Sequence, residues 1–269
     1  MNLFTHGTLN RVNKPVCRLG LSATYRPGKK LIYRALDAGI NVFFGYGFDT
    51  NLTRVMRDVL RRDREKYVVV TGAYNLLVGH PGIERTLEKR LRQFGTEYID
   101  AFLFLGVTKE KHFPERTREE FYRLRETGKV RAVGMSCHDR RFAGQLCAEG
   151  ALDVLMMRYN AAHPGAEQDI FPHLQTHQPG IIGYTATRWG YLLRRPKGWP
   201  KDGRIPTAPE CYRFVLSNSK VQVCLTAPRN ANEFEQNLTA LEAGPLDESD
   251  LAFMREFGEA VHQTKKWFM

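Results

Sequence analysis

"VRAVGMSCHDRRFAGQLCAEGALDVLMMRYN", residues 130–160, holds the unit from which the chain is built. Two apolar runs, VRAVGMS (130–136) and VLMMRYN (154–160), flank an amphipathic stretch over 139–149. Short runs rich in β-branched and large apolar residues read as buried strands, and an apolar stripe at helical spacing reads as a covering helix. The same alternation extends in both directions. Upstream runs are CRLGLSAT (17–24), NVFFGY (41–46), KYVVVTG (66–72) and IDAFLFLG (99–106); downstream lie GIIGYTA (180–186) and VQVCLTA (221–227).

Helical spacing recurs between them. Leu31, Ile32, Ala35 and Leu36 share one face of 28–38; Leu52, Val55, Met56 and Leu60 share one of 50–61. Residues 80–94 carry Ile83, Leu87, Leu91 and Phe94, and 117–127, 170–177, 211–217 and 233–242 continue the series. A last helix over 247–261 starts at Asp247 with Asp250 three residues on, an N-terminal signal. Eight strands, each followed by a helix, form the (β/α)8 TIM-barrel pattern, and 269 residues suit that fold's usual size of about 250. A doubly wound open sheet is the alternative, but it calls for a glycine-rich phosphate turn after the first strand. LSATYRPGKK (21–30) has no GxGxxG. No composition shift marks a boundary, so residues 1–269 read as one domain with an extra C-terminal helix. The long irregular stretch 188–210 falls after the seventh strand, where Trp189 and Trp199 suggest an ordered lid over the barrel mouth.

Hydrophobic residues make up 42%, enough for a packed core. No apolar run approaches the roughly 18 residues of a membrane span, and MNLFTHGTLNRVNK (1–14) lacks a signal-peptide core. Five dispersed cysteines without CxxC spacing read as reduced thiols, hence a cytoplasmic setting. Arginine dominates the net charge of +11, with local clusters at 61–64 and 194–197; the first, on a predicted helix end, reads as a solvated face. No zinc-finger spacing, RNP motif or basic arm points to nucleic acid.

In a barrel the chemistry lies at the carboxyl ends of the strands. Those ends present Ser22, Thr24 and Tyr25; Tyr46 and Asp49; Tyr74 and Asn75; Ser136, Cys137 and His138; Tyr159, Asn160 and His163; Tyr184, Thr185, Thr187 and Arg188; Thr226 and Arg229. Phenols and imidazoles abound, but the carboxylate cluster of a metal-dependent or glycosidase barrel is missing. No strand-end lysine offers a Schiff base. Cys137 beside His138 invites a thiolate reading, although adjacent residues point apart; the other reading is a small residue packed at the rim. His173 and His177, four apart, suit one metal face but lack an evident third ligand, which favours surface histidines.

Five phrases come in a telling order: RPGKKLIYRALDAGIN (26–41), GTEYIDAFLFLG (95–106), GKVRAVGMS (128–136), RYN (158–160) and TAPRNANEFEQNL (226–238). In order and spacing the chain resembles the aldo-keto reductases from about residue 16 to 245. The resemblance implies a (β/α)8 barrel that binds NADPH and reduces carbonyls. It also implies a catalytic tetrad: a tyrosine that protonates the carbonyl, a lysine that tunes it, an aspartate that pairs the lysine, and a histidine that orients the substrate. Matched position by position, the aspartate falls at Phe44, the tyrosine at Asp49, the lysine at Gly72 and the histidine at Leu105. For the cofactor the resemblance implies Ser136 at the nicotinamide amide, Tyr184 stacked beneath the ring, Arg229 near the 2′-phosphate and Asn237 near the adenine. Cys137 and Met156 stand where an Asn and a Gln are usual.

Two functions follow as expectations. The first is a binding or regulatory pseudoenzyme, with NADPH or with no cofactor, holding a small molecule in the mouth. The second is a rewired enzyme, an oxidoreductase or a cofactor-free lyase or isomerase, with Tyr46 as its acid-base group and Asp49, His138 or Arg188 tuning it.

Overall fold

The computed structural model describes residues 3–74 and 82–264; Asn75 lies outside them. Eight parallel strands close a barrel: β3 (Leu19–Ser22), β4 (Val42–Phe44), β5 (Val68–Tyr74), β6 (Ile99–Val107), β7 (Val130–Cys137), β8 (Val154–Arg158), β9 (Gly180–Tyr184) and β10 (Val223–Thr226). Their order around the barrel is β10-β3-β4-β5-β6-β7-β8-β9. Each corresponds to one of the eight apolar runs read from the sequence.

The helices on the outside are α1 (Lys29–Asp37), α2 (Thr50–Arg62), α3 (Ile83–Phe94), α4 (Glu115–Glu126), α5 (Arg140–Ala148), the single turn α6 (Ala166–Asp169), α7 (Ala208–Ser217) and α8 (Ala231–Glu242). A C-terminal helix, α9 (Glu248–Thr264), follows. The amphipathic stripes explain their placement: Leu52, Val55, Met56 and Leu60 are the buried face of α2. The signal before α9 is realised, since Asp247 Oδ1 accepts from the Asp250 backbone N–H at 2.8 Å. Among the described residues no helix is long and apolar enough to cross a membrane.

Strand alternation divides the core in two. Val42, Phe44, Val70, Leu103, Leu105 and Met156 belong to the barrel interior, while residues such as Phe43, Val69 and Phe102 pack under the helices. An antiparallel hairpin, β1 (His6–Leu9) and β2 (Lys14–Cys17), precedes the barrel. Its Leu9, Val12 and Val16 cluster with Val42 and Val68, the first residues of β4 and β5. The hairpin therefore plugs the amino end and leaves the carboxyl end as the open mouth.

The 188–210 stretch is only partly a lid. Trp199 packs edge-on against Phe257 of α9, with centroids 4.9 Å apart, and donates from its indole to the Arg204 carbonyl at 3.0 Å. Trp189 alone of its two tryptophans reaches the mouth.

Candidate active site

A cavity of about 310 Å³ opens at the carboxyl ends of the strands. Phe44 and Leu105, the last inward-facing residues of β4 and β6, form its apolar floor together with Met156 and Leu225. Above them stand the phenols of Tyr46, Tyr74, Tyr184 and Tyr212. Among the described residues its lining contains no carboxylate, lysine or arginine.

Tyr46 is held by the turn after β4. Gly47 adopts φ 88°, a left-handed backbone that favours glycine. A Cβ there would also sit 1.9 Å from the Arg90 guanidinium. Asp49 Oδ1 accepts from the Gly47 N–H at 2.8 Å, and Gln93 of α3 donates to the Gly47 carbonyl at 2.6 Å. The turn thus sends Tyr46 into the mouth and Asp49 beneath it. Tyr46 hydroxyl lies 3.1 Å from Thr24 Oγ1, which lies 2.8 Å from Ser22 Oγ. The Tyr46 ring meets Phe44 edge-on at 4.8 Å and lies parallel to Tyr74 at 6.0 Å and Phe48 at 5.4 Å. Burial raises the Tyr74 phenol further above its ordinary value, with Tyr46 adding to the rise.

Asp49, read from the sequence as a catalytic group, is buried and does not line the cavity. Burial raises its carboxyl, against backbone donors and the nearby Arg90 charge. Its Oδ1 holds the Gly47 N–H in the turn under Tyr46.

His138, just past β7, does line the cavity; its Nε2 stands 3.4 Å from the Tyr184 hydroxyl. Burial, and then the charge of Arg158, lower its pKa and so favour the neutral imidazole. Ser136 and Tyr184 line the same side. Tyr46, His138, Ser136 and Tyr184 are therefore brought together.

Three other positions lie apart. Arg188 is buried and donates from Nη1 to the Val261 carbonyl at 2.7 Å, holding α9 rather than facing the mouth. Arg229 is exposed, with its guanidinium 4.9 Å over the Tyr25 ring on the rim. Asn237 is buried, its amide donating to Thr226 Oγ1 at 2.9 Å, and Thr226 in turn donates to the Tyr212 hydroxyl at 2.9 Å. Cys137 is buried, its thiol pushed up to about 12 chiefly by desolvation, which removes the thiolate reading. Among the described residues no group of three His, Cys, Asp or Glu could hold a metal.

Tyr212 was not legible as a mouth residue. It comes from α7, where CYRFVLS (211–217) shows only a helical apolar face. Trp189 could be found through its place after the seventh strand.

The Aldo/keto reductase family profile matches residues 26–205. The NADH-specific methylglyoxal reductase of Escherichia coli is 22% identical, with 86% of this chain and 87% of that protein aligned. An uncharacterized oxidoreductase of Bacillus subtilis is 24% identical over 61% of this chain and 53% of its own length. A Mycobacterium aldo-keto reductase is 31% identical over only 27% of its length, so these last two matches span about half and a quarter of the relatives. Among solved structures, the holo form of a Bacillus halodurans aldo-keto reductase superposes with a TM-score of 0.78 at 18% identity, covering 95% of this chain and 97% of that one. A Klebsiella pneumoniae aldo/keto reductase in complex with NADP and acetate gives 0.70 at 19% identity, over 94% and 95%. With the barrel, the open carboxyl-end mouth and a profile match across most of the sequence, this chain belongs to the aldo/keto reductase family.

Proposed function

We propose that this chain is a small-molecule-binding barrel that does not perform the family's ordinary NADPH-dependent carbonyl reduction, a pseudoenzyme in that sense. One observation carries the reading: the strand ends where that chemistry would sit offer Phe44, Gly72 and Leu105, and no cation lines the mouth among the described residues. A phenol with pKa near 10 is a poor proton donor and acceptor at neutral pH unless a cation and hydrogen bonds tune it. Here burial moves Tyr74 and Tyr184 the other way.

NADPH fits one end of the site better than the other. The Tyr184 ring and Ser136 hydroxyl offer a stacking face and a polar contact for a nicotinamide, and exposed Arg229 offers a cation to a phosphate. The Asn237 amide is already committed to Thr226. When bound, the nucleotide supplies a hydride. Transfer to a carbonyl also needs a proton at its oxygen, which this lining is poorly set to give.

The test is steady-state turnover of methylglyoxal with NADPH and with NADH, alongside a nucleotide-binding titration. The expected result is a rate about 10²–10⁴-fold below that of an active family member, the usual worth of a tuned acid-base group. A kcat of about 1–10³ s⁻¹, normal for enzymes, would overturn the reading.

A second reading is favoured by the hydroxyl chain Tyr46–Thr24–Ser22. Thr24 is exposed, so the chain links a cavity phenol to solvent. That arrangement suits proton transfer, in an oxidoreductase or in a cofactor-free lyase or isomerase centred on Tyr46. On any substrate found, Tyr46→Phe is then expected to lower kcat by about 10²–10⁴-fold. Full activity in that variant would remove Tyr46 from the mechanism.

A further inference from the structure

The barrel order gives the mouth a cross-shaped symmetry. Around β10-β3-β4-β5-β6-β7-β8-β9, strands β4 and β5 lie opposite β8 and β9, and β3 lies opposite β7. The β4 and β5 ends carry Tyr46 and Tyr74 in near-parallel planes, 15° apart. The facing β8 and β9 ends carry Met156, Tyr184 and, on the loop beyond, Trp189. These are two aromatic walls. The β3 end carries Ser22 and Thr24, while the β7 end carries Ser136 and His138. These are two polar ends, set across the other diameter.

Trp189 is 58% exposed although it lines the cavity. Its loop holds Thr185, Arg188 and Trp189 at φ 59°, 48° and 58°, in the left-handed region that non-glycine residues avoid. Arg188, anchored on the Val261 carbonyl, helps to fix that loop. At the polar end, His138 Nε2 lies 3.4 Å from the hydroxyl of Tyr184, so the imidazole sets a polar edge beside a cavity phenol.

Building on the reading of the mouth as a small-molecule site, we infer that its ligand is an uncharged, flat ring system with hydrogen-bonding oxygens at two opposite ends. The ring lies between the Tyr46–Tyr74 and Tyr184–Trp189 walls, and the oxygens meet Ser22–Thr24 and Ser136–His138. Stacked rings gain from offset contact beyond the area they bury. An anion finds no cation in the lining, and an unpaired charge is expensive to desolvate. Arg158 acts on His138 and Tyr184, and Arg90 on Tyr74, from outside the lining, while Arg229 stands over the Tyr25 ring at the rim.

Isothermal titration of the wild-type protein with four probes tests this. 2,6-Dihydroxynaphthalene is flat, uncharged and two-ended; naphthalene-2,6-dicarboxylate is flat but charged; decahydronaphthalene-2,6-diol is two-ended but not flat; 2-naphthol has one end. The first is expected to bind at least about tenfold tighter than each of the other three. Trp189→Leu is expected to weaken both flat phenols severalfold with no change in Tm. Ser22→Ala and His138→Leu are each expected to shrink the diphenol's advantage over 2-naphthol. Equal or tighter binding of the dicarboxylate or the saturated diol, no binding by any probe, or an unchanged advantage in both polar-end variants would overturn the inference. The titration needs no nucleotide and reads binding alone. Fast reduction of methylglyoxal would therefore sink the functional reading while leaving the ring-binding result to stand or fall by itself.

Discussion

Gly72→Ala is expected to destabilise the protein by about 3 kcal/mol, the upper end of the roughly 1–3 kcal/mol that overpacking usually costs. Gly72 pairs with Leu103 across the β5–β6 ladder. A Cβ at position 72 would lie 1.9 Å from the Leu103 carbonyl oxygen and 3.0 Å from the Leu105 side chain. The first contact is with backbone, so no rotamer change relieves it; the strands themselves would have to part. Gly28→Ala makes a fair control, since a Cβ there meets nothing within 4 Å, and it should cost under about 1 kcal/mol. Urea unfolding of the two variants at pH 7 separates them. A loss below about 1 kcal/mol at Gly72 would show that the strands yield easily. The result bears on function, because the resemblance expects a lysine at this position. If even a methyl group is resisted, Gly72→Lys cannot restore a cation to the mouth without rebuilding β5 against β6.

That close approach fits the rest of the mouth. With no side chain at 72, the interior continues from Val70 directly to Tyr74, flanked by Phe44 and Leu105. The cavity is apolar below and phenolic above. Three of its titratable groups are pushed toward their uncharged forms, Tyr74 and Tyr184 by raised pKa values and His138 by a lowered one. Burial is the largest cause in all three cases, so the neutrality belongs to the site as a whole rather than to one interaction.

The barrel was legible because a buried parallel strand writes itself as an apolar run, and the covering helices as stripes. The hairpin was not. His6–Leu9 and Lys14–Cys17 are short, mixed in polarity and interrupted by Pro15, and their apolar side chains have no purpose until a barrel end needs closing. Strand-end chemistry was readable in the same uneven way. Tyr46, Ser136, His138 and Tyr184 follow from strand position alone, because side chains alternate along a strand. The direction of Asp49 depends on Gly47 and on Arg90 and Gln93, which reach over from α3 more than 40 positions further along the sequence. Arg188 looked like a rim cation, but a helix end that exists only in the tertiary structure claims it. Tyr212 enters the mouth from α7, and nothing in a helical stripe says that one of its members will face a cavity.

At the opposite end of the barrel, Asp100→Ala is expected to cost about 3–5 kcal/mol, the usual penalty for stripping one partner from a buried ion pair. Asp100 is fully buried near the start of β6. Its Oδ2 accepts from Arg64 at 2.7 Å and from the Val69 backbone N–H at 2.8 Å, and its Oδ1 lies 3.0 Å from Lys14 Nζ. Lys14 comes from the hairpin and is 4% exposed, so the carboxylate ties the plug to the barrel wall. Removing it leaves a buried ammonium with the Tyr67 and Arg64 carbonyls, the Tyr98 hydroxyl and, at 3.5 Å, the exposed Glu65 carboxylate as partners. Replacing both, as Lys14→Met with Asp100→Leu, should recover part of the loss, because Lys14 then leaves no buried charge, although Arg64 and the Val69 N–H still lose their acceptor. Urea midpoints at pH 7 for both singles and the double give the coupling directly. A loss below about 1 kcal/mol for Asp100→Ala, or a double variant no better than the worse single, would count against the tie. Barrels keep stability at the amino end and chemistry at the carboxyl end. The fraction of Asp100→Ala that stays folded should therefore bind mouth ligands as the wild type does, whereas Gly72→Ala should disturb fold and ligand together.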